Sequence, residues 1–517
     1  MPAWFARSVA ILLLGVSYSA YTQDESLVCS DTFRSGRGSS VPSLIGGDHS
    51  GYWLQERTSD RVPTILITHL DTALKTVWRR PFQLPHPEGA GSQEIDQVLF
   101  IQGHLYVFSS GRRTDAAEYQ AFVTVVDKEA RPVLGPALIH FVPDIWKGKR
   151  PQCVVRVSND HNRILVLFDA PYERRASESI AIRVFDAGLD LLWERTLELP
   201  YDQDVVQVHH FDVDSEGGIY LMSGQNPEKH ALSWQRPQGH RYVVFYYEHE
   251  QNILREYDVS LKDKQVLSVQ FAIQPSGQLV IGGYYSNDFS FAAAGTFLFV
   301  LEARAEGVEV ASYMPFPQEL ITHYLTPRQS GRQMGLPDYY LDHLILREDG
   351  SYWLIGEQFS IAENLMMDPM TGRQLIERRF TYDDVLAVHL SADARILRAE
   401  RVARRQFDTS LNPHLSYSCL VVGDDVVIYF NDHPDATRRL GETTGSDPMT
   451  WNGSRGAVIT QVVIPAEGTV QRSTFYRGKG NEYLLRPGIG PEPRLNPGLI
   501  GMDGSRGYRY CRSVLAR

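Results

Sequence analysis

The chain has 517 residues and an ordinary globular composition, 43% hydrophobic and 22% charged, with no low-complexity tract. Its net charge of −11 argues against a nucleic-acid partner, which needs a concentrated basic surface. Aromatics at 11%, with 26 Tyr, favour β structure, where flat rings pack on pleated surfaces.

Residues 1–22 read as a secretory signal peptide: Arg7, an apolar run from Val9 to Val16, then small residues. Ser17 and Ser19 suit the −3 and −1 cleavage positions, with Ala20 and Thr22 as the second choice. The run is too short to span the ~30 Å of a bilayer core. The expectation is an exported mature chain, periplasmic or secreted, with residues 23–517 forming a single domain and no transmembrane segment.

From there one pattern recurs. SLIGGDHSGYWLQ (Ser43–Gln55), QVLFIQGHLYVF (Gln97–Phe108), CVVRVSNDHNRILVLF (Cys153–Phe168) and VHHFDVDSEGGIYLM (Val208–Met222) are each an apolar run, a tight turn and a second run. SVQFAIQPSGQLVIGG (Ser268–Gly283), LILREDGSYWLIGEQF (Leu344–Phe359) and CLVVGDDVVIYF (Cys419–Phe430) continue the series. Their turn residues Gly51, Gly103, His161, Gly217, Gly277, Gly350 and Asp424 lie 52, 58, 56, 60, 73 and 74 apart and suit the positive φ of hairpin turns. A second hairpin type alternates with the first, as in TILITHLDTALKTVWRRPF (Thr64–Phe82) and VLAVHLSADARILRAERV (Val385–Val402). Two hairpins per repeat give four antiparallel strands, which is a β-propeller blade. A row of β-sandwiches is disfavoured: Pro/Ser linkers at domain spacing and an immunoglobulin-type Cys…Trp…Cys pattern are absent.

Seven complete repeats run from Val41 to Tyr476, and EYLLRP, NPGLIGMDG and RGYRYCRSVL offer three further strands. The segment ESLVCSDTF (Glu25–Phe33) supplies the missing fourth. The expectation is therefore an all-β, eight-bladed propeller closed by strands from both termini, since an open ring exposes sheet edges. Seven blades with a terminal hairpin is the alternative. Cys29 and Cys511 fall in the two strands paired by closure and should form a disulfide. Cys153 and Cys419 begin inner strands of opposite blades, beyond disulfide reach, and are expected as buried free thiols.

The A–B and C–D turns are short, whereas the B–C loops on the other face are long: Ser223–Arg241, Gln358–Asp383 and Asn431–Gly456, with the connector Gln318–Tyr340 beside them. Long loops on a rigid scaffold are where recognition is usually placed. Trp234, Arg236, Tyr324, Arg438, Arg439 and Trp451 are the candidate binding residues. Glu357, Gln358, Tyr382, Asp383, Asp384, Asn431 and Asp432 sit where strands meet that face. Oxygen donors of this kind suit Ca²⁺ if they converge, although they more often cap strand ends, and no cofactor is otherwise implied. Glu357, Asp383 and Asp432 are the candidate catalytic carboxylates of a hydrolase or lyase reading. The chain has no G-x-S-x-G elbow and no H-E-x-x-H helix.

HLDTALKTVW (His69–Trp78) and VFDAGLDLLWERTLELP (Val184–Pro200) resemble the quinoprotein-like (PQQ-like) repeat, in which a Trp docks between neighbouring blades. The succession DGSYWLIGEQF, RRFTYDDVLAVHLSADARIL and SYSCLVVGDDVVIYFNDHPDA resembles exported bacterial β-propeller proteins over most of the mature chain. That resemblance implies a propeller in the cell envelope or outside it, and it brings no catalytic residues with it. The resulting expectation is a monomeric scaffold that binds a protein or glycan through its long-loop face, with a carbohydrate-active enzyme as the competing reading.

Overall fold

The computed structural model describes residues 27–34, 40–60, 62–87, 91, 93–113, 115–144, 151–169, 177–202, 206–225, 241–287, 292–302, 307–324, 335–367, 374–436, 448–453, 456–477, 483–488, 498–505 and 507–513. The signal-peptide expectation for residues 1–22 lies outside them. Seven four-stranded antiparallel units follow one another at residues 43–83, 93–143, 152–202, 206–259, 265–315, 339–402 and 417–477. Strands A to D of each are hydrogen-bonded in chain order. The eighth sheet is composite: Leu484–Leu485, Ile500–Gly504 and Gly507–Ser513 supply A to C, and Leu27–Cys29 from the other end of the chain supplies D. The expected eight-bladed ring is therefore the observed one.

The turn residues do what their positions require. Gly51, Gly103, His161, Gly217, Gly277 and Gly350 all have positive φ. At Gly51 a Cβ would lie 1.9 Å from the Leu70 carbonyl oxygen, so no other residue fits there without moving the neighbouring strand. In blade seven the left-handed residue is Gly423 rather than Asp424, one position earlier than expected. The calcium-like DVDSEGG stretch is a turn: Asp214 Oδ1 accepts from the backbone N–H groups of Glu216 and Gly218 at 2.9 and 2.7 Å.

Apolar residues alternate onto both faces of each blade because each blade is covered on both sides by its neighbours. The core accordingly divides into layers between blades. Trp53, Ile65 and Ile67 of blade one pack with Ile95, Val98 and Leu105 of blade two, and the series continues around the ring. The last layer sets Leu499 and Tyr510 of blade eight against Leu44, Tyr52 and Leu54 of blade one, which closes the circle. Trp193 docks between blades three and four, stacked on His249 at 5.2 Å.

Five inner strands carry a register shift at the same place, between Leu44 and Gly46, Ile95 and Gln97, Val208 and His210, Val266 and Ser268, and Leu341 and His343. Such bulges raise the local twist and re-aim the extra residue. In blade six that residue is Asp342.

Cys29 and Cys511 are register partners and form the disulfide, with Cα atoms 4.1 Å apart. Cys419 is a buried free thiol, and burial pushes it up to about 12. Cys153 is only half-buried, which corrects the expectation for that residue. No described helix is long and apolar enough to cross a membrane.

The double variant Cys29→Ser/Cys511→Ser is expected to lose about 2–5 kcal/mol of stability, the usual cost of removing a native disulfide. Denaturant unfolding checks this, and the reduced wild-type protein should match the variant.

Candidate functional site

Beyond blade six the structure departs from the repeat. Its strands B and C, Tyr352–Met367 and Gln374–Leu390, are about twice as long as those of most other blades. The segment expected as a loop, Gln358–Asp383, is mostly a two-stranded arm, paired from Phe359↔Tyr382 to Met367↔Gln374. A bulge between Glu357 and Phe359 marks where the arm leaves the blade. At that point strand C also changes its outer neighbour. Val385–Leu390 pairs with strand D of the blade, Ile396–Val402, but Phe380–Tyr382 pairs with a new strand, Arg405–Asp408. A short parallel strand, Thr450–Trp451 from the B–C loop of blade seven, adds to that one. The result is a small accessory sheet standing on the long-loop face.

Arg404 sits at the corner between strand D and the accessory strand, and only 1% of its side chain is exposed. Its guanidinium forms an ion pair with Glu357, and its Nε donates to the Asp383 carbonyl oxygen at 2.8 Å. Its backbone N–H donates to Asp384 Oδ1 at 3.0 Å, while Arg401 Nε donates to Asp384 Oδ2 at 2.5 Å. The guanidinium also lies 5.5 Å from the Tyr417 ring centre and 5.8 Å from that of Phe430. Burial pulls Arg404 down to about 10, which leaves it charged at neutral pH.

The network continues into blades seven and eight. Ser416 Oγ donates to Glu357 Oε2 at 2.9 Å, and the Ser416 N–H donates to Gln406 Oε1 at 2.8 Å. Gln406 Nε2 donates to the Asn431 carbonyl oxygen at 2.6 Å. The Asn431 side chain accepts from Leu485 N–H at 2.9 Å and donates to the His414 and Leu485 carbonyls at 2.8 Å each, tying blade seven to the closing blade. Asp432 accepts from Arg472 Nη2 at 2.6 Å and from Thr460 at 3.2 Å. Asp342, the bulge residue, accepts from Tyr417 OH at 2.7 Å. Burial of its carboxyl raises it to about 6, against the opposing hydrogen bond from Tyr417 and the Arg404 charge.

The three candidate catalytic carboxylates thus fall in one region, each beside a guanidinium. Glu357 and Asp432 are buried against Arg404 and Arg472. Asp383 is less enclosed and has Arg405 at 3.6 Å; burial raises it to about 6, with Arg405 pulling the other way and Asp384 adding to the rise. Asp383 and Asp342 are thus the two carboxyls of this network raised toward neutral pH. The oxygen donors considered for Ca²⁺ are turned to arginine and backbone instead: Gln358 Nε2, for one, donates to the Pro337 carbonyl at 3.1 Å. Among the described residues no three of His, Cys, Asp or Glu gather as a metal site would need.

Of the candidate binding residues, Trp234, Arg236, Arg438 and Arg439 lie outside the described residues. Tyr324 ends the short helix Gln318–Tyr324. Trp451, expected on the surface, is 2% exposed and packs with Leu415, Ala457 and Leu484 beneath the accessory sheet. Arg404, Gln406 and Asp342 were not singled out in the sequence. The signal was present in RVARRQFD (Arg401–Asp408), three arginines at the end of a strand that must meet the acidic pair Asp383–Asp384.

Arg404→Met should cost about 3–5 kcal/mol, because it leaves the Glu357 carboxylate buried without a cation. Adding Glu357→Gln should recover part of that loss in denaturant titrations. Asp383 has its folded pKa raised above the ordinary value, so its contribution to stability is full below about pH 4 and is lost as pH rises through about 6. Asp383→Asn is expected to flatten the stability profile across that window and to raise stability at neutral pH.

No protein-family model matches the chain, and no curated protein shows significant similarity to it. The quinoprotein-like resemblance therefore has no sequence-family support. Among solved structures, the polysaccharide lyase Uly1 matches with a TM-score of 0.38 and 11% identity, over 84% of this chain and 91% of that one. A prolyl oligopeptidase B from Galerina marginata gives 0.39 and 8%, over 90% of this chain but 54% of its own, so the chain spans about half the oligopeptidase. The periplasmic gluconolactonase PpgL of Pseudomonas aeruginosa gives 0.33 and 12%, over 78% of this chain and 91% of that one. At this level of likeness the propeller assignment rests on the eight sheets themselves, and the chemistry of these proteins does not carry over.

Proposed function

We propose that the chain is an exported propeller that binds a protein or glycan through the face bearing the B–C loops and the accessory sheet. The observation that carries this reading is the division of labour at that face. Glu357, Asp384 and Asp432 are committed to arginines, whereas the surface above them is built up with added strands that no blade needs for its own packing. Buried polar side chains tied by ion pairs and hydrogen bonds across blades six, seven and eight rigidify what they support. Leu411, 75% exposed on the connector after the accessory strand, and Arg405 are side chains such a partner would meet. The disulfide fits an oxidising compartment.

A glycan array and affinity capture with identification of the retained protein test this. The double variant Leu411→Asp/Arg405→Ala should weaken retention of whichever ligand is found by at least tenfold. Asp393→Ala, in the turn on the opposite face, should leave it unchanged. Equal retention by both variants would move the binding surface elsewhere.

One observation favours the hydrolase or lyase reading: the protonated tendency of Asp383, which suits a general acid. Under that reading a polysaccharide panel reveals turnover that Asp383→Asn abolishes without unfolding the protein. The binding reading expects no turnover from the wild type.

A further inference from the structure

The arm of blade six presents an edge and apolar side chains that the packing described so far does not cover. It extends about 26 Å from Phe359 to Met367 at ~3.3 Å per residue. The strand Arg405–Asp408 covers only its root, at Phe380–Tyr382. Past Phe359, strand B has no strand on its outer side among the described residues, so alternate N–H and C=O groups of residues 360–367 face outward. Its outermost described residues are apolar on both faces. Leu365 and its cross-strand partner Ile376 are 74% and 59% exposed on one face, with Met367, 63% exposed, beside them. Met366, 50% exposed, points to the other. Natural edge strands are usually blunted with several charges, whereas residues 360–367 carry one, Glu363, and it is paired with Arg378 across the arm.

The occupant must offer both backbone hydrogen bonds and apolar surface. A lipid layer offers only the second, and an open sheet edge is not tolerated in hydrocarbon. A second copy of the chain offers both. The described arm residues 359–367 and 374–382 carry two acids, Glu363 and Glu377, and two bases, Arg378 and Arg379, so the arm is neutral on a chain of net charge −11. Two arms can therefore approach although the bodies repel. Glu363 is already paired with Arg378 of its own arm at 2.9 Å.

We propose that two copies pair antiparallel through the free edge of residues 360–367. A two-fold axis sets one residue opposite its own copy. Centring on Glu363 would oppose two like charges. Centring on Asn364, the next position and the one that keeps almost the whole edge in register, opposes two amides. It also sets Ala362 opposite Met366 and Ile361 opposite Met367. An edge of this length buries less than the ~800 Å² per partner of a stable interface, so the dimer should be weak, in the micromolar range. This replaces the expected monomer and is independent of the ligand reading, because no ligand enters its test.

Sedimentation velocity of the mature protein from low to high micromolar concentration should show a monomer–dimer equilibrium, abolished by Leu365→Glu/Ile376→Glu. Opposed antiparallel residues lie about 4.5–5.5 Å apart, within disulfide reach. Asn364→Cys should therefore cross-link to itself on mild oxidation, and Ala362→Cys should not. A mixture of Ala362→Cys and Met366→Cys should cross-link. A wild type that stays monomeric throughout overturns the proposal, as does a dimer indifferent to the tip variant or one without the Asn364→Cys product. Flotation of a solution monomer with phosphatidylcholine vesicles, lost in the tip variant, would also overturn it and assign the arm to lipid.

Discussion

Every blade in this protein depends on having a neighbour on each side. A four-stranded sheet with apolar residues on both faces has no stable form alone, and the interblade layers show why a ring is the solution. Layer after layer, the side chains of one blade fill the face of the next, until Leu499 and Tyr510 meet Leu44 and Tyr52. Closure is therefore the constraint on which the rest hangs. Tyr510 is buried and donates its hydroxyl to the Pro42 carbonyl at 2.7 Å; its carbonyl accepts from the Ser30 N–H, and its own N–H donates to Ser30 Oγ at 3.0 Å. The strand Leu27–Cys29 completes the sheet, and the disulfide makes its departure costly.

Where blades six, seven and eight meet on the long-loop face, apolar packing gives way to a polar joint. A buried guanidinium is a poor source of net stability, because desolvation offsets much of what its ion pair returns. What it supplies is geometry. Arg404 engages Glu357 and the Asp383 and Asp384 backbone and side chain at once, which fixes the angle at which the chain leaves strand D. Gln406 and Asn431 carry that fixation to blade eight. The accessory sheet and the root of the arm are held by this joint, with Trp451 and Leu415 as a small apolar cushion beneath.

The legibility of the chain follows from how local each determinant is. Turn glycines at Gly51, Gly103, Gly217, Gly277 and Gly350 announce hairpins because positive φ is a property of the residue itself. The closing strand was legible because three C-terminal strands and one N-terminal strand were left over, and the cysteines in two of them fit that pairing. The arm was not. With both its faces uncovered, SIAENLMM lacks the alternation of a half-buried strand, and its turn region resembles an ordinary loop. Trp451 was misplaced for a related reason: an aromatic in a long loop reads as exposed until another segment covers it. The arginine partners of Glu357, Asp383 and Asp432 were not legible, because they come from segments 40 or more residues away or from a strand corner.

The sequence by itself determined the four strands of each blade, their pairing, the ring and its covalent clasp, but not the arm or the accessory strands. What it determined is written in residues close along the chain or in a pair of cysteines. Tertiary structure alone decided which carboxylates are neutralised, which aromatic is covered and which apolar side chains remain outside. Those outcomes depend on which distant segment arrives beside them. A charge, an indole or a leucine carries no mark in the sequence of the neighbour that will desolvate it.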